Sequence, residues 1–405
     1  MNVLFLTLLD FASIDERNIY TDLLREFYYN GYSVYVISPV EKRKNQKTRV
    51  LETDKATILK LKIGNTQKTK LVEKAISTVS IEPLFIAGIK KYFSNVKFDL
   101  VIYSTPPITF CNAIEYVKKR DGSKSYLLLK DIFPQNAVDL GMMSKSGIKG
   151  IIYNVFRKKE KKLYKISDYI GCMSRMNVDY VLKQNPEIDP TIIEVCPNSI
   201  DIVDTSVDDN VCKIIRNKYG IPLDKKVFVY GGNLGKPQGI DFMIECLRSQ
   251  EWNEKVFFLI VGDGTEYVKI ETYIKNDKPN NVRLMKRLPK EDYDKMIGAC
   301  DVGMIFLDYR FTIPNFPSRL LSYMQAKIPV FAVTDPNTDV GKTIVEGGFG
   351  WWCESNDTRQ FTQLISKIVE KKDLKKTGNK GKQYLKDYFD VKNAYVTIIS
   401  HMQKK

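Results

Sequence analysis

Short runs of β-branched, aromatic and aliphatic residues alternate with helix-length segments along this chain. In the first half the runs are VLFLTLL (3–9), SVYVIS (33–38), DLVIYS (99–104), SYLLLKD (125–131), YIGCMS (169–174) and IIEVCPN (192–198). Short apolar runs regularly spaced by helical stretches are the pattern of βαβ units and a parallel sheet. A polar stretch, SIDIVDTSVDDN (199–210), interrupts the alternation and reads as a linker. The pattern then restarts with KVFVYGG (226–232), VFFLIVGDG (256–264), NVRLMKR (281–287), DVGMIFL (301–307) and IPVFAV (328–333). The expectation is an α/β protein of two doubly wound domains in tandem. In such sheets ligands bind at the carboxyl ends of the strands.

Composition narrows the class. A length of 405 residues suits two domains, and 43% hydrophobic with 27% charged residues is ordinary globular usage. The seven cysteines are scattered, with no Cys-x-x-Cys pair, which argues against a zinc site or a disulfide framework and for a reducing cytosol. MNVLFLTLLDF reads as a first buried strand and not as a leader, since it has no basic start and reaches Asp10 early. No run has the 18 uncharged apolar residues of a membrane span, so contact with a membrane would be peripheral. A net charge of +15 favours an anionic partner: nucleic acid, acidic lipid or a phosphate-bearing substrate. The only histidine, His401, falls in the last helical pattern, which excludes histidine triads, histidine zinc sites and a histidine base. Chemistry must rest on carboxylates, lysine, arginine and backbone.

The unusual residues lie where strands end. GGNLGKPQGID (231–241) follows VFVY and precedes a helical stretch, so its backbone N–H groups can face an anion. It is neither a Walker loop nor a dinucleotide fingerprint, because no Gly-Lys-Ser/Thr ends it and Gly-x-Gly-x-x-Gly cannot be read. In IPNFPSRLLSYMQAKIPVFA, Pro314 and Pro317 hold the chain extended and Ser318 is placed to cap a helix running from Arg319. An arginine in a first helical turn opposes the macrodipole. Either an anion sits above it, or Ser318 is a plain cap with Arg319 turned to solvent.

These segments resemble the retaining nucleotide-sugar glycosyltransferases of family 4, which have the GT-B fold of two Rossmann-like domains facing a central cleft. Cys196-Pro197-Asn198 followed by Asp201 matches the family's Val-Pro-Asn block, and Gly232-Asn233-Leu234-Gly235-Lys236-Pro237-Gln238-Gly239 matches its Gly-Arg-Leu-x-x-x-Lys-Gly spacing. VGDG (261–264) and FPSRLLSYMQAKIPVFA (316–332) match two further blocks, and the loop together with PSR resembles a subgroup that makes bacterial surface polysaccharides, often with amino- or deoxysugar donors. The resemblance implies an acceptor-binding domain over 1–200, a nucleotide-sugar-binding domain over 201–387, and a terminal helix 388–405 packing back on the first. It implies a retaining hexosyltransferase with a nucleotide-diphosphate sugar as donor and neither metal nor cofactor. The implied diphosphate residues are Gly232, Asn233, Leu234, Gly235, Lys236, Gln238, Gly239, Ser318, Arg319, Leu320 and Leu321. Gly262, Lys286, Arg287 and Glu346 are candidates for base, ribose or sugar, although Glu346 also reads as a surface helix residue. The family's phosphate-binding arginine and lysine are replaced by Asn233 and Gln238, and its two motif glutamates fall on Pro314 and Ser322. Lys236 and Arg319 are then the cations left for the diphosphate. The one Asp-x-Asp, Asp292-Tyr293-Asp294, lies in a helical pattern and reads as a solvated face.

In the first half, KDIFPQNAVDLG (130–141) resembles the subgroup's RDLWPESA segment. Asp131 at a strand end could orient or deprotonate an acceptor hydroxyl, or be a turn aspartate. Arg17, Pro134, Gln135 and Asn136 are implied to shape the acceptor pocket. Two segments, 147–166 and 68–93, interleave apolar and basic residues. Each is either a surface for anionic lipid, where a polyprenyl-linked saccharide acceptor would lie, or a core-facing helix with a solvated lysine face. The implied location is the cytoplasmic face of the membrane. Three rivals remain: a catalytically degenerate scaffold of the same fold, a sugar-nucleotide epimerase, which would need a buried histidine, and a nucleic-acid binder, for which no recognition motif is present.

Overall fold

The structure is a computed structural model that describes residues 1–65 and 71–403. The chain forms two compact units, residues 1–201 with 391–405 and residues 202–390. The first holds β1 (Asn2–Leu6), β2 (Ser33–Glu41), β3 (Arg49–Glu52), β4 (Thr57–Ile63), β5 (Leu100–Ser104), β6 (Lys124–Leu129), β7 (Tyr169–Cys172) and β8 (Ile193–Val195), in the order β3-β4-β2-β1-β5-β6-β7-β8. All neighbours are parallel except β3 and β4. The second holds β9 (Lys226–Asn233), β10 (Val256–Asp263), β11 (Val282–Met285), β12 (Val302–Phe306), β13 (Val330–Thr334) and β14 (Gly350–Glu354), all parallel, in the order β11-β10-β9-β12-β13-β14.

Both sheets are doubly wound. The strand order reverses between β1 and β5 in the first unit and between β9 and β12 in the second. At such a switch point the flanking loops turn apart and leave a crevice at the carboxyl ends. Central strands are apolar along their length because helices cover both faces. Phe5, Phe27, Ile102 and Ile398 pack one core, and Phe228, Phe258, Met304 and Phe361 pack the other. Full burial of a ring such as Phe27 contributes on the order of 2–3 kcal/mol.

Strands β3, β4 and β14 lie outside the sequence expectation. β4 contains Lys60, which is 2% exposed and donates to Phe11 O at 2.8 Å and Ser38 Oγ at 2.9 Å while pairing with Asp10. A lysine held this way reads as polar although it belongs to the core. β14 is GWWCE, whose glycine and tryptophans obscure its period.

The stretch 199–210 is strapped down. Val203 N donates to Gln325 Oε1 (3.3 Å), Lys382 Nζ donates to Val203 O (2.8 Å) and Lys327 pairs with Asp204 (2.8 Å). The terminal helix Val391–Gln403 belongs to the first unit, where Tyr395 packs edge-on against Phe27 with centroids 5.1 Å apart. His401 stacks on Tyr169 at 3.8 Å, its Nε2 lying 2.8 Å from Glu194 Oε1.

Candidate functional site

In the second unit the loop after β9 lies at the switch point, and three features shape it. First, β9 and β10 run together to their ends, pairing Gly232 with Gly262 and Asn233 with Asp263. A Cβ on Gly262 would lie 1.9 Å from Gly232 O, and one on Gly264 2.3 Å from Leu234 O, so the VGDG glycines permit this approach. Second, Gln238 turns inward. Its Oε1 accepts from Gly235 N (3.1 Å) and from Asn233 Nδ2 (3.0 Å), and Asp308 N, beyond β12, donates to Pro237 O (2.9 Å). Third, Gly232 and Gly239 take φ of +135° and +58°, conformations that glycine adopts at little cost. Leu234 is buried beneath the loop, and Lys236 is exposed on it.

Arg319 opens the helix Arg319–Gln325 and reaches this loop. Its guanidinium lies 4.3 Å over the Tyr230 ring, and a Cβ on Gly232 would be 3.3 Å from its Cζ. Nη1 is buried without a hydrogen-bond partner, and no carboxylate among the described residues pairs with the group. Burial pushes the phenols of Tyr230, Tyr293 and Tyr323 above their ordinary range, so the rings around Arg319 stay neutral. A desolvated cation with an unmet donor is a receptor for an anion, and a phosphate oxygen would satisfy it with a charge-assisted bond.

In the first unit Asp131 follows β6. Thr105 Oγ1 accepts from Lys130 N (3.0 Å) and Asp131 N (3.2 Å) and donates to Asp131 O (3.0 Å), which fixes the backbone there. Asn136 Nδ2 reaches both carboxylate oxygens, at 2.9 and 2.8 Å. Burial nevertheless pushes the Asp131 carboxyl up to about 6, against the lowering effect of Asn136. Such a carboxylate can accept a proton near neutral pH. Tyr20, whose phenol is raised by burial and by the Asp131 charge, and Lys130, lowered by burial with Nζ 3.4 Å from Cys196 O, border a small cavity with Pro197, Asn198 and Ser199.

Residues 212–384 match the family profile described as Glycosyl transferases group 1. That stretch belongs to the group 1 glycosyltransferases. The chain is 26% identical to the probable glycosyltransferase WbjE of Pseudomonas aeruginosa over 76% of its own length and 75% of that protein. It is 24% identical to the putative colanic acid biosynthesis glycosyl transferase WcaI of Escherichia coli K12 over 51% of the chain and 49% of that protein. The structure of HepE from Anabaena in complex with UDP-glucose superposes with a TM-score of 0.73 at 14% identity, covering 99% of both chains. The two doubly wound units are those of the GT-B fold.

Several residues stand where the sequence does not put them. Ser318 is itself helical (φ −63°, ψ −18°), and its side chain makes no capping bond. The N–H groups of Leu320 and Leu321 are taken by Pro317 O (3.2 Å) and Ser318 O (3.1 Å), so they offer no free donor. Glu346, by contrast, takes the alternative reading of a surface helix residue: it is exposed and ends the helix Val340–Glu346 just before β14 begins, so it lies at the amino end of the strands, with Lys342 3.8 Å away. Asp294 is buried and paired with Lys290, so Asp292-Tyr293-Asp294 is not a solvated face.

Lys286 and Arg287 follow β11 and are exposed, Lys286 lying 3.2 Å over the Tyr267 ring. Gln135 bonds to Asp139 (2.6 Å) and Pro134 precedes their short helix, leaving Asn136 as the member of that set on Asp131. Arg17, in the loop after β1, adds to the positive field at buried Asp22. Sequence reasoning missed Tyr230, Tyr293 and Tyr323. A Cβ on Gly231 would collide with the Tyr293 hydroxyl, and Tyr323 OH accepts from Gly231 N at 3.2 Å. The paired glycines were the available signal, since something bulky must lie against them.

Proposed function

We propose that this group 1 glycosyltransferase moves a hexosyl group from a nucleotide-diphosphate sugar to a polyprenyl-diphosphate-linked saccharide, with retention, in bacterial surface-polysaccharide biosynthesis. The buried Nη1 of Arg319, without a hydrogen-bond partner in a guanidinium set against Gly232, carries the reading. The acceptor hydroxyl bonds to the anomeric carbon as the bond from that carbon to the diphosphate oxygen breaks. One further negative charge then develops on the leaving diphosphate, whose terminal phosphate comes to carry two. Arg319, Lys236 and the backbone of Gly232 to Gly235 stabilise it, a role that pays in rate because the charge develops in the transition state. Gly262 lets the backbone approach the nucleotide, and Lys286 and Arg287 serve the base or ribose. Asp131, held by Asn136, orients the acceptor hydroxyl and receives its proton, while Arg17, Pro134 and Gln135 border the acceptor. No step uses a metal, so chelator should leave the rate unchanged. WbjE and WcaI, by their names, support glycosyl transfer, and HepE, by its bound UDP-glucose, supports a sugar nucleotide as donor. The protein works at the cytoplasmic face of the membrane.

Thermal-shift titration with uridine, guanosine and adenosine diphosphate sugars tests the reading. One base class should raise the melting temperature of the wild type and leave that of Arg319→Ala unmoved. If no nucleotide diphosphate binds at millimolar concentration, the chain is a scaffold of this fold, a reading that the uncharged Asn233 and Gln238 pair favours.

A further inference from the structure

The helix Gly147–Ile166 leaves its apolar side uncovered over its first half. Ile148, Ile151, Ile152 and Val155 are 82%, 66%, 48% and 51% exposed. Their spacing of i, i+3, i+4 and i+7 makes one stripe at 100° per residue. Met142, just ahead of the helix, is also exposed (51%). Within Gly147–Val155 the one buried residue is Gly150, packed against the Lys145 backbone. The helix is anchored by its second half, where Leu163 and Tyr164 are buried and Glu160 pairs with Arg157 at 2.6 Å. The other basic segment behaves differently. In Leu71–Tyr92, Ile81, Phe85 and Ile89 are all within the core; residues 68–70 of that segment lie outside the described residues.

Charge names the occupant. Helical geometry sets Lys149 and Lys158 on opposite flanks of the stripe, and Lys145 precedes it. All three are exposed and enter no ion pair among the described residues. An apolar ridge flanked by exposed ammonium groups without a carboxylate partner suits a surface of hydrocarbon under anionic headgroups, whereas a protein partner of matching shape would have to supply the acidic rim as well. No helix among the described residues is long and apolar enough to cross a membrane. We infer that the first half of this helix docks the protein onto an anionic bilayer, with Ile148, Ile151, Ile152 and Val155 inserted among the acyl chains. The same helix touches the Asp131 segment, since Phe156 packs edge-on against Phe133 with centroids 5.1 Å apart. Docking would therefore bring the carboxylate that receives the acceptor close to the lipid that anchors it. This purpose rests on the proposed acceptor, but the docking itself does not.

Flotation of the full-length protein with vesicles tests it. Wild type should float with vesicles of phosphatidylcholine and phosphatidylglycerol and remain below with pure phosphatidylcholine. Ile151→Ser with Ile152→Ser should weaken binding roughly tenfold or more, since each methylene withdrawn from the bilayer matters. Lys145→Gln, Lys149→Gln and Lys158→Gln together should weaken it on the order of a hundredfold and flatten its salt dependence. These side chains are exposed, so melting temperatures should match wild type. Unchanged flotation in both variants would overturn the proposal, as would wild type that ignores anionic vesicles. A dimer that the serine variant converts to monomer, with flotation intact, would assign the stripe to a second copy instead. Nucleotide-induced thermal shifts should persist in both variants, so failure of docking and failure of the transferase reading are separable.

Discussion

The carboxyl ends of the two sheets solve opposite problems with the same topology. In the second unit a cation, Arg319, is desolvated among neutral tyrosines and faces backbone, with no carboxylate among the described residues paired to it. In the first a carboxylate, Asp131, is desolvated and clamped by a neutral amide, with its proton affinity raised to about 6. On the proposed function one end receives charge and the other receives a proton. The lesson is that a switch point supplies only the crevice, and the side chain brought to it decides the chemistry.

The sharpest way to break this comparison is at Asp131. Asp131→Asn keeps the size and loses the proton acceptor, so transfer should fall by about 10²–10⁴-fold, while the nucleotide-induced thermal shift stays at the wild-type value. If both readouts fall together, the two ends do not divide the work. Next is Arg319→Ala, which should weaken nucleotide diphosphate binding by on the order of a hundredfold, as expected when a charge-assisted bond worth roughly 1.5–3 kcal/mol is lost. Calorimetry reads this directly, and Arg319→Lys should recover only part of it, because a point charge replaces a fork.

The acid limb of the pH profile sharpens the comparison. A carboxyl raised to about 6 is ionised above that pH, so kcat/KM should fall as pH drops through about 6. The Asn136 amide lowers the Asp131 value, and Asn136→Ala should therefore shift the acid limb to higher pH. A profile that stays put would show that another group titrates. Smaller still, Lys236→Ala, at an exposed position, should weaken nucleotide binding only a few-fold, in keeping with roughly 1 kcal/mol or less for an exposed pair. Glu346→Gln, at the far end of the strands, should change neither readout.

Much of the fold was legible because a βα unit announces itself locally, by an apolar run and then a helical period. The losses have physical causes. Lys60 in β4 reads as polar until Asp10, Phe11 O and Ser38 are seen around it. The site was legible where backbone geometry demanded glycine, as at Gly232 and Gly262. It was illegible where side chains choose partners across the sequence. Gln238 sits at the position of a phosphate-binding lysine and spends its carbonyl on Gly235 and Asn233 instead. Ser318 looks like a cap, yet the helical turn already begins at its own backbone. Glu346 is near the glycines in sequence, and only the direction of its helix removes it from the loop. The two basic segments share a composition, and burial alone separates them: one folds its apolar side into the core and the other shows it to solvent.

The chain leaves the first unit at Asp201 and re-enters it at Val391, and Val391 N donates to Ile200 O at 3.0 Å. In topological terms the second unit is an insert whose two ends emerge side by side. A joint of that kind can be cut and reclosed with a short turn, leaving the first unit's chain continuous. On the proposed function, a chimera carrying the corresponding insert of a relative in place of residues 202–390 should exchange the nucleotide preference and keep the acceptor.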